Sequence, residues 1–290
     1  MTDSVTAHRS SIDLVLATYE RTTELARFLD HLAAQTYRDF RLLVVDQNPD
    51  DRLEPVLAPF EGAFPLRRLR SKRGLSRARN AALPLVDAEI VGFPDDDCWY
   101  APGLLQRVAD LFGSNPDWDG LAGRSFDELG RSSHQVLPGR RPRSVERSNV
   151  FAVAASFTMF LRSPVVGRLG PFDESLGVGA GTPWGSAEDT DYLLRAIAAG
   201  LRVRYVPSLR VGHSQVRRAG AADVIRAGGL YAQGQGRVLR KHGYPRWYLA
   251  YSCSRALAAG GLAAITGRSG RARFHAAVAR GRVRGWLAPY

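Results

Sequence analysis

Apolar and polar residues follow two different periods along the first 112 residues of the chain. Continuous apolar runs indicate buried β-strands, whereas apolar residues three or four positions apart, as at Leu25, Phe28 and Leu32, indicate helices with one buried face. Strands are predicted at residues 12–17, 40–45, 66–69 and 89–93, and helices at residues 24–34, 76–83 and 102–112. This alternation predicts the α/β class, with a Rossmann-like, mostly parallel sheet flanked by crossover helices.

The middle of the chain is less regular than its beginning. Residues 130–148 are rich in Arg, Pro, Ser and Gly, which predicts a mobile loop. After a glycine-rich stretch, Ser186 is a candidate N-cap for a helix that ends at Ala199. Residues 201–206 then alternate like a strand and precede a turn at Pro207.

The end of the chain is predicted to be helical, basic and amphipathic from about residue 221. We therefore expect an α/β domain over residues 1–220 and a helical C-terminal appendage over residues 221–290. The most apolar stretch of the appendage, residues 247–265, carries Arg255 near its centre, which argues against a membrane-spanning helix.

Charge and cysteine content narrow the range of partners and compartments. The 290 residues include 40 Lys or Arg and 28 Asp or Glu, so the formal net charge is +12. Such an excess favours anionic partners, which include nucleic acid, anionic lipid and phosphorylated ligands. Cys98 and Cys253 are too few for a disulfide framework, and residues 1–10 lack the apolar run of a signal peptide, so we expect a cytoplasmic location.

Three consecutive carboxylates, Asp95, Asp96 and Asp97, follow the strand predicted at residues 89–93. Ligands of open parallel sheets bind beyond the carboxyl ends of the strands, and in an extended segment Asp95 and Asp97 project to the same side. Two carboxylates on one side suit Mg²⁺ or Mn²⁺ that carries substrate phosphates. A solvated acidic turn is the alternative.

A second acidic cluster, which includes Glu188 and Asp189, opens the helix predicted after Ser186. Acidic residues at a helix N-terminus often only stabilise the helix dipole, but a carboxylate at a cleft edge can also serve as a general base. His213, beyond the strand at residues 201–206, is a candidate metal ligand or an ordinary structural histidine.

A basic segment at residues 71–80 combines Lys72, Arg73, Arg77 and Arg79 with Gly74 directly before a predicted helix. Backbone amides at a helix start and guanidinium groups both bind phosphate, so this segment suits a diphosphate or a nucleotide. A solvated basic helix face is the alternative.

Taken in this order, these segments resemble the family 2 glycosyltransferases, which have the GT-A fold. The resemblance extends over about residues 11–215, and Asp95–Asp97 would be the DxD-type metal motif. The matching segments are residues 15–21, residues 35–37 and 44–46, residues 74–80, residues 93–97 and residues 188–189. Asp46 departs from the family pattern, because residues 47–50 follow it in place of a second Asp and a Gly-Ser-Thr turn, and this leaves the nucleotide open.

The resemblance implies an inverting, metal-dependent transfer of a sugar from a nucleotide-diphosphate donor to an acceptor hydroxyl, with Mn²⁺ or Mg²⁺ as cofactor. Residues 1–220 would be the catalytic domain. Asp189 would be the general base, with Glu188 beside it, and Asp95, Asp97 and His213 would hold the metal. The donor site implied by the resemblance comprises Thr18, Tyr19, Glu20, Asp46, Arg73, Gly74, Arg79, Asp95 and Asp96.

The acceptor is open, and a lipid-linked or cell-envelope glycan is a candidate. In residues 221–290, arginines alternate with aromatic and apolar residues, which suits peripheral attachment to an anionic membrane surface as well as a packed appendage. A sugar-nucleotide nucleotidyltransferase is the alternative enzyme, although no glycine follows the first strand. Nucleic acid is not expected as a partner, because the basic residues do not alternate with aromatic residues as a stacking surface requires.

Overall fold

The structure, a computed structural model, describes residues 11–132, 139, 141–214 and 220–289. Residues 1–10, where we expect no signal peptide, lie outside the described residues. Residues 133–138 and 140, which belong to the loop predicted at residues 130–148, also lie outside them. The described residues form two compact units. The first unit contains Met1–Lys72, Ala78–Pro171 and Tyr192–Gln215, and the second contains Arg73–Arg77, Phe172–Asp191 and Val216–Tyr290, counting only the described part of each range. The predicted domain boundary at residue 220 stays a prediction.

One mixed sheet forms the centre of the first unit. Its strands are β1 (Ile12–Thr18), β2 (Phe40–Asp46), β3 (Leu66–Arg70), β4 (Ile90–Gly92), β5 (Cys98–Tyr100), β6 (Gly120–Phe126), β7 (Arg143–Ser144), β8 (Met159–Arg162) and β9 (Val203–His213). Their order is β3-β2-β1-β4-β8-β6-β9-β5, and β7 pairs with β9. Strands β1 to β4 are parallel to one another, as the sequence predicts, whereas β8 is antiparallel to both of its neighbours.

The longer helices that follow β1 and β5 each bury an apolar stripe. The helices between residues 11 and 200 are α1 (Thr23–Ala33), α2 (Glu54–Leu57), α3 (Leu75–Ala82), α4 (Leu104–Ser114), α5 (Val150–Val153), α6 (Ser163–Leu169) and α7 (Glu188–Ala198). On α1 the predicted positions Leu25, Phe28, Leu29 and Leu32 are all fully buried, and they share a core with Leu14 and Leu16 of β1. The division between the two units falls inside α3 and α7.

Strand β9 continues through Pro207, so the predicted turn at this residue is wrong. Proline cannot donate to a strand ladder, and proteins accommodate it at irregularities of pairing. The register of β9 against β6 shifts between Ala122 and Arg124, and Pro207 falls within this irregularity. Pro207 therefore does not occupy a position at which the ladder needs a backbone N–H donor. The strand therefore reaches His213.

The start of α7 also differs from the prediction. The helix begins at Glu188, and the Ser186 hydroxyl donates a hydrogen bond to the backbone carbonyl of Tyr231, 2.7 Å away, so Ser186 is not its N-cap. Ala187, directly before the helix, has a φ of 71°, which a residue with a side chain adopts rarely.

The second unit contains three long helices, α8 (Ala221–Lys241), α9 (Arg246–Ile265) and α10 (Ser269–Leu287), which confirm the predicted helical C-terminal region. Helix α10 packs against both α8 and α9. Its contact with α8 is made by glycines: a Cβ atom on Gly281 would lie 2.3 Å from the carbonyl oxygen of Gly229, and one on Gly285 would lie 1.9 Å from that of Gln233. Among the described helices, none is both long and apolar enough to cross a membrane.

Candidate active site

The ends of several strands carry the polar residues of the first unit. Strand β1 ends at Thr18, β2 ends at Asp46, and Asp95, just beyond β4, forms a bridge with Ala17 of β1. Strand β9 ends at His213, which is paired with Cys98, the residue directly after Asp97. The pairing of β5 with β9 thus brings His213 close to the acidic triplet Asp95–Asp97. This is the edge of the sheet at which open α/β sheets bind ligands.

Asp95, Asp97 and His213 form a group that fits a divalent metal ion. One ligand atom from each of these half-buried residues lies within 4.8 Å of the other two. Two carboxylate oxygens and one imidazole nitrogen suit Mn²⁺ and Mg²⁺, the cofactors expected from the sequence, although imidazole favours Mn²⁺ over Mg²⁺. The residues present therefore fit the predicted cofactor.

The imidazole of His213 is held in place on two sides. Its Nε2 atom lies 3.3 Å from Oδ1 of Asp97, and its ring stacks on Phe157 with 4.5 Å between the ring centroids. Burial alone would lower the pKa of His213, but the hydrogen bond and the charge of Asp97 outweigh it and raise this pKa above its ordinary value. For Asp97, burial opposes the charged form, yet His213 and Arg21 lower its pKa.

Arg21, which was not predicted as a site residue, joins two of the three carboxylates. Its guanidinium lies 2.7 Å from Oδ1 of Asp96 and 2.5 Å from Oδ2 of Asp97. The Thr18 hydroxyl donates to the other oxygen of Asp96, 2.7 Å away. Asp96 is buried, and its burial raises its pKa to about 6 despite these contacts. Asp96 therefore links the end of β1, through Thr18, to Arg21.

Arg79 is fully buried beneath Asp95, so it has no surface from which to contact solvent. Its guanidinium donates to Asp95, 3.1 Å away, and to the hydroxyl of Ser156, 2.7 Å away. The resemblance placed Arg79 in the donor site, and the structure gives it a position from which it orients Asp95.

Asp46 is fully buried at the end of β2, and both of its carboxylate oxygens accept hydrogen bonds. One oxygen accepts from the backbone and side-chain amides of Asn48, and the other accepts from Arg68 at 2.6 Å. Asn48 in turn accepts the backbone N–H of Glu20, 2.7 Å away, and Glu20 has a left-handed φ of 59°. Asp46 thereby fixes the loop that carries Glu20 and the half-buried Tyr19.

The second unit holds the remaining predicted residues. Glu188 is buried: a Cβ atom on Gly177, whose φ is 96°, would lie 3.1 Å from its carboxylate. Asp189 is half-buried and accepts the backbone N–H of Thr190 at 2.6 Å. Arg73 is exposed, whereas Gly74 is buried with a φ of 135°, a conformation that favours glycine.

Two groups of side chains in the second unit were not predicted from the sequence. Arg237 lies over the ring of Trp184, 4.2 Å from its centroid. Asp191, three residues after Glu188, is fully buried and contacts Lys241 and His242, each at 2.8 Å. The sequence shows that Asp191 lies in an acidic cluster after a glycine-rich loop. It does not show which cations pair with this residue, because Lys241 and His242 lie about fifty residues further along the chain.

The structure thus brings Thr18, Asp95, Asp96, Asp97 and His213 together in the first unit, with Arg79 beneath them. Asp46 and Glu20 lie in the same unit and are linked through Asn48. Glu188, Asp189, Arg73 and Gly74 belong to the second unit.

Comparisons with known proteins bear on the family and the fold of this chain. The family model described as "Glycosyl transferase family 2" matches residues 13–167. Glycosyltransferase AglE of Haloferax volcanii is 24% identical over 201 residues, which cover 63% of each chain. The chain spans between 32% and 63% of the length of the curated relatives it matches.

Two solved structures share the fold. The mannosyltransferase PcManGT from Pyrobaculum calidifontis, in complex with GDP-Man and Mn²⁺, has a TM-score of 0.63 at 17% identity, over 94% of this chain and 87% of that chain. TarS 1–349 of S. aureus, in complex with UDP-GlcNAc, has a TM-score of 0.59 at 16% identity, over 94% of this chain and 90% of that chain. These similarities confirm the predicted GT-A fold.

Proposed function

The chain belongs to glycosyl transferase family 2, and from this membership we propose that it transfers a sugar from a nucleotide-diphosphate donor to a hydroxyl acceptor, with inversion and with a divalent metal. The observation that carries the proposal is the group formed by Asp95, Asp97 and His213, whose ligand atoms lie within 4.8 Å of one another. The donor class is further supported by the nucleotide sugars GDP-Man and UDP-GlcNAc bound to the two structural neighbours.

The first unit would bind the donor. Asp95, Asp97 and His213 would hold Mn²⁺ or Mg²⁺, which when bound supplies Lewis-acid stabilisation of the charge that develops on the departing diphosphate. Thr18, Tyr19 and Glu20, on the loop fixed through Asp46 and Asn48, would contact the nucleoside. Arg79 would keep Asp95 oriented, because its guanidinium donates to that carboxylate. From the family resemblance, Arg73 and Gly74 would contact the diphosphate.

Asp189 would be the general base. Its carboxylate takes the proton of the acceptor hydroxyl while that oxygen forms a bond to the anomeric carbon, and the bond from this carbon to the phosphate oxygen breaks with its electron pair on the diphosphate. This single displacement inverts the anomeric centre. Asp189 is half-buried and suits this role better than Glu188, which is buried.

The acceptor is proposed to be a lipid-linked or cell-envelope glycan. The support is the exposed surface of helices α8 to α10, which is basic and partly apolar. Such a surface suits an enzyme that works at an anionic cell envelope better than one that acts on a small soluble sugar.

The proposal is tested by thermal shift with UDP, GDP and their sugars, each with and without Mn²⁺, because a ligand that binds the folded state raises the melting temperature. At least one nucleotide sugar should stabilise the parent in a Mn²⁺-dependent manner. Asp97→Asn should lose this dependence, whereas Asp110→Asn, a change of an exposed carboxylate on α4, should retain it. Equal Mn²⁺-dependent shifts in Asp97→Asn and the parent would refute the metal site.

Asp189→Asn then tests the base. It should bind the donor like the parent but lose about two to four orders of magnitude in turnover, the usual contribution of a general base. Glu188→Gln is the matched comparison. Normal turnover of Asp189→Asn together with loss in Glu188→Gln would transfer the role to Glu188.

A further inference from the structure

All of the surplus charge of the chain lies at its C-terminal end. Twelve of the 40 basic residues and none of the 28 acidic residues follow Asp223. The preceding 223 residues therefore carry 28 charges of each sign and are neutral as a whole, whereas the last 67 residues carry the entire net charge of +12.

Helix α9 is apolar on two opposite faces. One face packs against α10 through Cys253 and Ala256, with Gly260 close to His275. The other face is exposed and carries five large apolar residues, which we call the α9 surface. They are Trp247, Tyr251, Leu257, Leu262 and Ile265, and their exposed fractions are 66%, 52%, 56%, 65% and 86%.

The α9 surface concentrates exposed apolar residues on one helix. Single exposed apolar residues are common, but contiguous apolar patches usually mark a binding site. These five residues are nearly half of the eleven large apolar residues exposed in the described part of the chain, and they lie on one helix.

Exposed arginines lie on α9, at its two ends, and on the neighbouring helix α10. Arg246 begins α9, Arg255 lies in the helix 5.8 Å from the ring of Tyr251, and Arg268 follows its end. On α10 the exposed arginines are Arg271, Arg273, Arg280 and Arg284.

Other basic side chains of this region are committed to contacts within it. Arg282 is partly buried and donates to Gln235 and to the backbone carbonyl of Ser252. Arg240 donates to the backbone carbonyl of Trp286, and Lys241 pairs with acidic residues of the same unit. The exposed arginines are therefore distinct from the cations that hold the unit together.

We propose that the α9 surface and the arginines around it dock this protein on an anionic lipid bilayer as a peripheral protein. Aliphatic and aromatic side chains would enter the boundary between headgroups and acyl chains, and the arginines would contact lipid phosphates. An amphipathic helix lying in the membrane plane needs an apolar face and cations beside it. Helix α9 supplies the apolar face, and Arg246, Arg255 and Arg268, within it and just after its end, supply the cations.

Two other occupants fit these features less well. A second copy of the chain would bring two surfaces without acidic residues against each other, and like charges oppose such contact. Nucleic acid would use the arginines but would gain nothing from Leu257, Leu262 and Ile265, because these side chains cannot stack on bases. The proposal does not rest on the transferase activity.

The test is co-sedimentation of the full chain with vesicles of phosphatidylcholine alone or of phosphatidylglycerol and phosphatidylcholine in a 3:1 ratio, at low and physiological salt. Leu262→Gln/Ile265→Gln removes apolar contacts, and Arg268→Gln/Arg271→Gln removes charge. The matched control is Leu129→Gln/Arg107→Gln, which changes an exposed leucine and an exposed arginine of the first unit. Circular dichroism and light scattering establish that each variant is folded and report its oligomeric state.

The parent and the control should bind the anionic vesicles at least about tenfold more strongly than the neutral ones. The apolar variant should lose about tenfold or more, and the charge variant about fivefold for each arginine removed. Two results would overturn the proposal: no vesicle binding by the parent, or losses in the control equal to those in the two variants. A parent dimer that the apolar variant dissociates, with no vesicle binding, would assign the α9 surface to a second copy. Thermal shift with nucleotide sugars stays unchanged in these variants, so a failure here is distinct from a failure of the proposed function.

Discussion

The Nζ atom of Lys241 lies 2.8 Å from Oδ1 of Asp191, a carboxylate with no exposed surface. The same ammonium group lies 2.7 Å from Oδ2 of Asp173, and Nε2 of His242 lies 2.8 Å from Asp191. Because Asp191 stands one turn into the helix that begins with Glu188 and Asp189, this network holds the start of that helix to the end of α8.

Lys241→Met is expected to destabilise the second unit. It removes the ammonium group from the buried carboxylate of Asp191, which keeps its contact with His242, and loss of one partner of a buried ion pair costs about 3 kcal/mol. Urea unfolding at pH 7 measures the change. Arg226→Met, which removes an exposed pair with Asp223, is the control and should cost less than about 0.5 kcal/mol. Equal losses of unfolding free energy in the two variants would mean that the Lys241 ion pairs contribute no more stability than an exposed pair.

The stability that Asp173 contributes should depend on pH in the acid range. Burial opposes ionisation of Asp173, but Lys241 and Ser175 outweigh it and lower its pKa from 3.8 to about 2. Because the folded pKa is the lower one, the stabilisation is complete above about pH 4 and disappears as the pH falls towards 2. Asp173→Asn should therefore be less stable than the parent at pH 7, and the difference should shrink near pH 2. A constant difference across this range would contradict the assigned ion pair.

Ala187→Gly should relax the backbone directly before α7. The left-handed φ of 71° costs a residue with a Cβ atom about 1–2 kcal/mol, which glycine avoids at an entropic cost of about 0.5–1 kcal/mol. A net gain of up to about 1 kcal/mol is expected in chemical denaturation. Ala198→Gly, in the last turn of α7, should instead destabilise. A loss of stability in Ala187→Gly would show that the conformation is not strained.

Gly285→Ala should disrupt the contact between α8 and α10. The added Cβ would lie 1.9 Å from the carbonyl oxygen of Gln233, a backbone atom that cannot move alone, and such overpacking costs about 1–3 kcal/mol. Gly270→Ala lies on the same helix, and its added Cβ would have no neighbouring atom within 4 Å, so this change should be neutral or stabilising by up to about 1 kcal/mol. Thermal unfolding compares the two, and equal melting temperatures would refute the close contact.

Arg21→Gln should strengthen metal binding in the absence of donor. The guanidinium neutralises Asp96 and Asp97 where a cation would otherwise gain from their charge. Calorimetric titration with Mn²⁺ should show an affinity about tenfold higher, which corresponds to about 1.4 kcal/mol. Arg107→Gln should leave the affinity unchanged, and an unchanged affinity in Arg21→Gln as well would mean that Arg21 does not compete with the metal.

The first half of the fold was predictable mainly because β1 and β2 are buried on both faces. The runs in β1 and β2 are continuous and apolar, and the α1 stripe at Leu25, Phe28, Leu29 and Leu32 is fully buried. The antiparallel partners of β8 could not be predicted, since its pairing with β4 joins distant residues such as Ile90 and Arg162. The turn predicted at Pro207 was wrong because proline usually ends a strand, whereas here a shift in strand register accommodates it.

The candidate site was predictable where it consists of a contiguous motif. Asp95 and Asp97 follow a strand, and His213 joins them through the pairing of β5 with β9, which the sequence did not reveal. Arg21 and Lys241 were missed because their significance lies in distant carboxylates. The general base and the nucleotide stay predictions, since their roles depend on a bound substrate.

The unequal distribution of charge separates two responses to ionic strength. Residues 1–223 carry no net charge, so long-range attraction contributes little to capture of an anionic donor, and the Michaelis constant for the donor should vary weakly with salt. The arginines of α9 and α10 act over about one Debye length, so encounter with an anionic interface should slow steeply over the same salt range. A single salt titration should therefore weaken vesicle binding steeply while it leaves the Michaelis constant for the donor almost unchanged.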